Sequence, residues 1–127
     1  MKHVLVLAPT GVLMGLLSSL VGLPVQVEMA LWTGLYLLWV VYGVRVKIET
    51  PVRRMGFLGT CSGLLMGSTQ VILMEQYKAN NPWYNTVFET STAQDLSVSL
   101  LGEGIALGLF CGLLTGLLVR LRLSNSN

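Results

Sequence analysis

VSLLGEGIALGLFCGLLTGLLV, residues Val98–Val119, is the stretch that decides the fold of this chain. Its 22 residues include a single charged side chain, Glu103. A helix rises about 1.5 Å per residue, so this one would be about 33 Å long. The hydrocarbon core of a bilayer is about 30 Å thick. The stretch therefore predicts a helix that crosses a membrane.

The composition of the whole chain also indicates a membrane protein. Of the 127 residues, 53% are hydrophobic and only 11% are charged, with a mean hydropathy of +0.68. Soluble domains carry about 25% charged residues, so these charges are too few to cover a globule in water. This composition excludes a soluble globular enzyme, a disordered tail and a nucleic-acid partner. The net charge of +2 also provides no basic surface for nucleic acid.

Three further apolar segments complete the predicted fold, an all-α membrane protein in which residues 1–127 form one bundle of four transmembrane helices. The predicted spans are 4–23, 29–44, 55–74 and 98–119, and a polar loop covers residues 75–97. The apolar runs are continuous, which favours helices over the alternating strands of a barrel. The N-terminus resembles a signal peptide without an evident cleavage site, so we expect a retained first span.

The charged residues predict the orientation of the bundle. With four spans, seven of the eight basic residues fall on one side, namely Lys2, Arg45, Lys47, Arg53, Arg54, Arg120 and Arg122. Lys78 falls on the other side, with most of the acids. Basic residues in short loops stay cytoplasmic. We therefore predict a multi-pass inner- or plasma-membrane protein with both termini in the cytoplasm.

Glycines at four-residue spacing mark two of the spans. They are Gly59, Gly63 and Gly67 in the third span, and Gly104, Gly108, Gly112 and Gly116 in the fourth. Association of helices in lipid depends on close backbone approach, which such rows of glycine allow. We predict a tight helix-packing seam, formed either between these two spans or with a helix of another chain.

Four polar residues are expected near the outer surface of the membrane: Glu28, Gln70, Glu75 and Glu103. Ionisable residues inside a membrane are costly and often functional. One interpretation is that the four side chains converge on a site for an ion or a small ligand. The other is that they are boundary residues whose side chains reach water.

Span two carries an aromatic face, formed by Trp32, Tyr36 and Trp39 at helical spacing. This face either stacks on a planar or cationic ligand or points towards lipid.

The predicted outer loop carries a second aromatic group. Asn81-Pro82 has the pattern of a helix start, and Trp83, Tyr84 and Phe88 follow it. These rings either anchor a short helix among lipid headgroups or form a lid over the bundle.

Residues for catalysis or metal binding are scarce. The single histidine is His3, and the two cysteines, Cys61 and Cys111, lie inside apolar runs, so we expect no metal and no cofactor. Positioned acid–base groups are also missing, so we expect no enzyme. Two functions remain. The chain is a structural or accessory subunit, surrounded by lipid and packed in a homo-oligomer or a larger membrane complex. Alternatively, it is a small homo-oligomeric channel or transporter for an ion or a small cationic or lipophilic solute.

Overall fold

The computed structural model describes residues 6–125, which are mostly helical and contain no β-strand. The helices are α1 (Pro9–Leu20), α2 (Val25–Arg45), α3 (Pro51–Ile72), α4 (Met74–Asn80), α5 (Asn85–Thr90) and α6 (Ala93–Ser124). A 3-10 turn, Pro82–Tyr84, joins α4 to α5. The predicted all-α class is confirmed. The first two residues of the predicted first span, Val4 and Leu5, and the basic residue Lys2 lie outside the described residues.

The antiparallel pair α3 and α6 forms the centre of the bundle and is its most extensive helix contact. The sequence of contacts gives the direction, since Gly67 lies against Leu100 and Gly116 lies against Val52. Each helix has a clear starting signal. α3 has Pro51 in its first turn, where a missing N–H costs nothing. α6 begins after Thr92, whose hydroxyl accepts a hydrogen bond from the Asp95 N–H at 3.1 Å and completes a capping box.

α1 packs on α3 and ends beneath α4. The last carbonyls of a helix have no partner within the helix, and in an apolar setting they must find one elsewhere. Asn80 supplies one partner, because its Nδ2 donates to the Ser19 carbonyl at 2.9 Å. Asn81 donates from Nδ2 to the Ser18 carbonyl at 2.9 Å. The chain then turns at Gly22, where φ is +71° and a Cβ would overlap the Asn80 carbonyl.

α2 lies along α6, and buried apolar side chains pack its C-terminal half against the other helices. Trp39, which is 1% exposed, is the largest of them. It shares a cluster with Leu7, Ile48, Met55, Leu58 and Val119. Ile48 belongs to the tight link between α2 and α3, and its N–H donates to the Gly43 carbonyl at 3.0 Å. This cluster places the start of α1, the end of α2, the start of α3 and the end of α6 at one end of the bundle.

The helix bounds differ from the predicted spans. α2 extends beyond 29–44 at both ends, and α6 extends beyond 98–119 because the capping box starts it earlier. α3 ends at Ile72, and the chain bends by 87° into α4. The bend follows from Leu73, which leaves the helical region with ψ of 33°. Most of the predicted polar loop 75–97, for which the sequence predicted a short helix after Asn81-Pro82, is helical.

Two helices, α2 and α6, are long and apolar enough to cross a membrane. α3 and α4 reach that standard together, as one bent pair, which gives up to three spans. α1 is apolar but has only 12 residues in the described chain. The structure thus agrees with a helical membrane protein, and the prediction of four spans is not confirmed.

Candidate functional site

A cavity of about 470 Å³ opens between α2 and α6 at the end of the bundle opposite the Trp39 cluster. α3 forms its floor, and α4 and the 3-10 turn close its end. We call it the acidic cavity. Its polar and aromatic lining residues are Glu28, Trp32, Gln70, Tyr77, Tyr84, Glu103 and Phe110.

Three of the four polar residues predicted to converge line this one cavity. Glu28 comes from α2, Gln70 from α3 and Glu103 from α6. The fourth, Glu75, lies outside the lining and is exposed. It belongs to α4, and the bend at Leu73 changes the direction of α4 relative to the helix that carries Gln70.

Hydrogen bonds orient two of these polar side chains. The Gln70 side chain is 4% exposed, and its Nε2 donates to the Ser18 hydroxyl on α1 at 3.2 Å. The Ser99 hydroxyl donates to a carboxylate oxygen of Glu103 at 2.9 Å, one turn earlier on α6. Gln70 is thus a fixed amide on the floor, whereas Glu103 is an exposed carboxylate at the rim. Such an arrangement attracts a positive charge to the mouth of the cavity.

The aromatic face of α2 points into the bundle. Trp32 is 6% exposed and Trp39 is 1% exposed. Tyr36 stacks on Trp32 at 5.3 Å between ring centroids and meets Trp39 edge-on at 5.3 Å. The interpretation that this face points towards lipid is therefore wrong. The physical reason is that Trp32 packs against Met14 and Met66, on α1 and α3, which removes its ring from the membrane surface.

Of these three aromatic residues, only Trp32 lines the acidic cavity. Its indole Nε1–H is buried and has no hydrogen-bond partner among the residues that the structure describes. Tyr36 instead lines a separate cavity further along α2.

Two tyrosines of the cavity were missed by the sequence analysis as site residues. Tyr77, on α4, is 7% exposed and packs edge-on against Phe88 at 5.9 Å. Tyr84 was assigned only to an interfacial anchor or a lid. The position of Tyr77 depends on the bend at Leu73, for which the sequence has neither proline nor glycine. The sequence could have identified Tyr84 as a site residue, because it follows the predicted helix start at Asn81-Pro82.

Tyr84, in the 3-10 turn at the end of the cavity, is influenced by the carboxylates of Glu28 and Glu103. Burial raises the pKa of the Tyr84 phenol above its ordinary value, and the nearby carboxylates of Glu28 and Glu103 raise it further. The phenol therefore stays neutral at physiological pH and serves as a hydrogen-bonding group.

The seven glycines predicted for helix packing all lie where α3 meets α6. A Cβ on Gly59 would overlap the carbonyl of Gly108, and one on Gly63 would overlap that of Gly104. A Cβ on Gly67 would lie 2.7 Å from the Leu100 carbonyl. Gly112 and Gly116 meet the backbone at the start of α3. These contacts are within one chain, so the row does not by itself require a second copy.

No group of three or more metal-binding side chains occurs within residues 6–125. Cys61 and Cys111 are free thiols. The polar groups that line the cavity are carboxylates, an amide, phenols and an indole.

Comparison of the chain with protein-family models, with curated proteins and with solved structures finds no match.

Proposed function

We propose that the protein is a small integral membrane protein that binds a lipophilic cation in the acidic cavity and acts as a homo-oligomeric channel or transporter. One observation carries the proposal. Two carboxylates from different helices, Glu28 and Glu103, line a single cavity together with four aromatic side chains, namely Trp32, Tyr77, Tyr84 and Phe110. Its volume of about 470 Å³ lies in the usual range for small-molecule sites.

The ligand class follows from the lining. A carboxylate next to an apolar surface favours a positive charge, because little water is available to stabilise the anion. Aromatic rings attract the same charge through their π faces and pack against apolar substituents. Most of the remaining lining is apolar, including Val25, Met29 and Leu107. A bulky organic cation satisfies both features, whereas a small hydrated ion uses only the carboxylates.

The proposed topology keeps four spans. α1 is short, but Leu7, just before it, belongs to the cluster with Ile48 and Val119 at one end of the bundle. Its other end is bound by Asn80 and Asn81 at the opposite end. At about 1.5 Å per residue, the segment from Leu7 to Leu20 is about 20 Å long, against about 32 Å for α3. A fourth crossing by this segment therefore requires a locally thin apolar layer.

Charge supports the proposed orientation. Arg45 and Arg122 line one cavity at the end of the bundle with the Trp39 cluster, whereas Glu28 and Glu103 line the acidic cavity at the other end. We place the basic end in the cytoplasm, following the preference of basic residues for that side. The acidic cavity then opens towards the outside.

The accessory-subunit function remains a second candidate. The exposed apolar side chains of α2 and α6, such as Leu38 at 64% and Phe110 at 61%, would serve a partner as well as lipid. We rank it second because the glycine rows, its main motivation, contact each other within the chain. A stable complex with unlike subunits on purification would favour it.

Binding of tetraphenylphosphonium to the detergent-purified protein tests the proposal. We expect saturable binding, and we expect E28Q and E103Q each to weaken it by about tenfold, which corresponds to about 1.4 kcal/mol. E75Q is the matched control, since Glu75 carries the same charge at the same end but does not line the cavity. Triphenylphosphine oxide, a neutral analogue of similar bulk, should bind weakly.

Two outcomes would overturn the binding proposal. One is equal affinity for the cation and its neutral analogue, and the other is a loss in E75Q as large as in E103Q. Transport is tested separately with protein in liposomes. We expect cation uptake that E103Q abolishes and E75Q retains, and binding without uptake would limit the function to a receptor or buffer.

A further inference from the structure

A second feature lies between α2 and α6, closer to the basic end of the bundle. Two cavities, of about 240 Å³ and about 390 Å³, follow one another there and are lined by these two helices alone. They share Val40 and Leu118, so they form one continuous groove. We call it the α2–α6 groove. It has no residue in common with the acidic cavity.

The groove is apolar along its length and basic at one end. Leu37, Val44 and Leu114 line it together with the two shared residues, and Arg45 and Arg122 stand at its end. No acidic side chain lines it. The guanidinium groups thus lie at the end of the bundle, where the apolar lining of the groove ends. This distribution matches an amphiphile with a negative head and a hydrocarbon tail.

The length of the groove matches one leaflet. Thr33, at its deep end, and Arg45, at its basic end, are twelve positions apart on α2, which corresponds to about 18 Å of helix. Half of the hydrocarbon core is about 15 Å thick. An acyl chain that starts at the arginines would therefore reach the deep end near the midplane.

A second copy of the chain fits this groove less well. In a two-fold interface the same patch meets itself, so the arginines of both copies would come together at one end. Like charges at short distance are repulsive. A phosphate group, by contrast, pairs with guanidinium in a bidentate geometry.

From the groove, its basic end and its length, we infer that the α2–α6 groove is a binding site for an anionic phospholipid of the leaflet at the basic end. The phosphate contacts Arg45 and Arg122, and one acyl chain lies against Val40, Leu114 and Leu118. The site is independent of the proposed cation site, because the two share no lining residue.

Native mass spectrometry of the delipidated protein in detergent tests this inference. We expect phosphatidylglycerol to bind with about one equivalent per chain and in preference to phosphatidylcholine with the same acyl chains. Basic residues near a membrane surface contribute about 1 kcal/mol each towards anionic lipid, so R45Q/R122Q should weaken binding roughly 30-fold. R53Q/R120Q removes the same charge from exposed positions outside the groove and should bind normally.

A groove-filling variant provides a second readout that does not depend on charge. L118W should exclude the lipid, whereas L117W, on the neighbouring exposed position, should not. Equal binding of the two lipids, or equal loss in both arginine pairs, would overturn the inference. So would a dimer that L118W dissociates and phosphatidylglycerol does not, because the groove would then belong to a second copy. Cation binding should be unaffected in all four variants.

Discussion

Single glycines determine how closely α3 and α6 approach. Gly63 has no room for a Cβ, since the Gly104 carbonyl occupies that position. Gly102, two residues away from Gly104 on α6, has nothing within 4 Å of an added Cβ. The two glycines share a residue type but differ in what surrounds them. Of Gly63 and Gly102, only Gly63 must be glycine for the helices to pack.

Alanine should therefore have different effects on stability at Gly63 and at Gly102. Gly63→Ala should destabilise the protein by about 1–3 kcal/mol, because the two helices must separate. Gly102→Ala should leave stability unchanged or raise it by up to about 1 kcal/mol, because alanine is the better helix former. The free energy of unfolding in mixed micelles measures both. Equal losses at the two positions would contradict the close contact of α3 and α6.

Which site residues the sequence could reveal depends on how local the determinant is. Gly59, Gly63 and Gly67 repeat every four residues, and a helix alone places them on one face. Glu28 and Glu103 were placed at one end by counting along two helices. Tyr77 is different, since its position depends on a bend at Leu73 that no local pattern marks. The same bend explains why Glu75 was grouped with residues that it does not join.

At the scale of elements, the ends of the helices were harder to predict than their existence. α6 begins at Ala93 rather than Val98, although Thr92 and Asp95 have the spacing of a capping box. The predicted span was defined by its apolar run, and the first turn of α6 is polar, so it was left out. The last carbonyls of α1 are bound by the Asn80 side chain of α4, a contact about 60 residues away that sequence spacing does not reveal.

The end of α1 supports a second prediction. Asn81 is 1% exposed, and its Nδ2 donates to the carbonyls of Ser18 and Tyr77 at 2.9 and 2.7 Å. Asn81→Ala should cost about 1–3 kcal/mol, because it leaves buried carbonyl groups without a donor. Thermal unfolding in detergent measures the loss. Asn85→Ala is the control, since Asn85 is exposed, and a loss there as large as at Asn81 would contradict the capping role.

At the scale of the whole molecule, opposite charges occupy opposite ends of one helical bundle. Glu28 and Glu103 lie at one end, and Arg45 and Arg122 lie at the other. The sequence predicted this separation because charges interrupt apolar runs at their ends. It did not predict the two openings between α2 and α6, which arise because α6 packs closely on α3 through glycine and leaves its other flank open.

The number of crossings is the last prediction. The chain runs from Leu7, packed with Ile48 and Val119, to Leu20, beneath α4, so this segment joins the two ends of the bundle although it is shorter than α3. Both termini should therefore lie on one side of the membrane. We expect a reporter that is active only in the cytoplasm to be active in living cells, whether it is fused to the N-terminus or to the C-terminus.

Impermeant maleimide labelling of a chain with Cys61 and Cys111 replaced by alanine gives the complementary measurement. Asn85→Cys, in α5, should be labelled in intact cells, whereas Lys47→Cys, in the link between α2 and α3, should be labelled only after permeabilisation. Both should react in detergent, which controls for local burial. Termini that report from opposite sides, with Asn85→Cys still labelled from outside, would mean that α1 enters the apolar layer without crossing it and that the bundle has three spans.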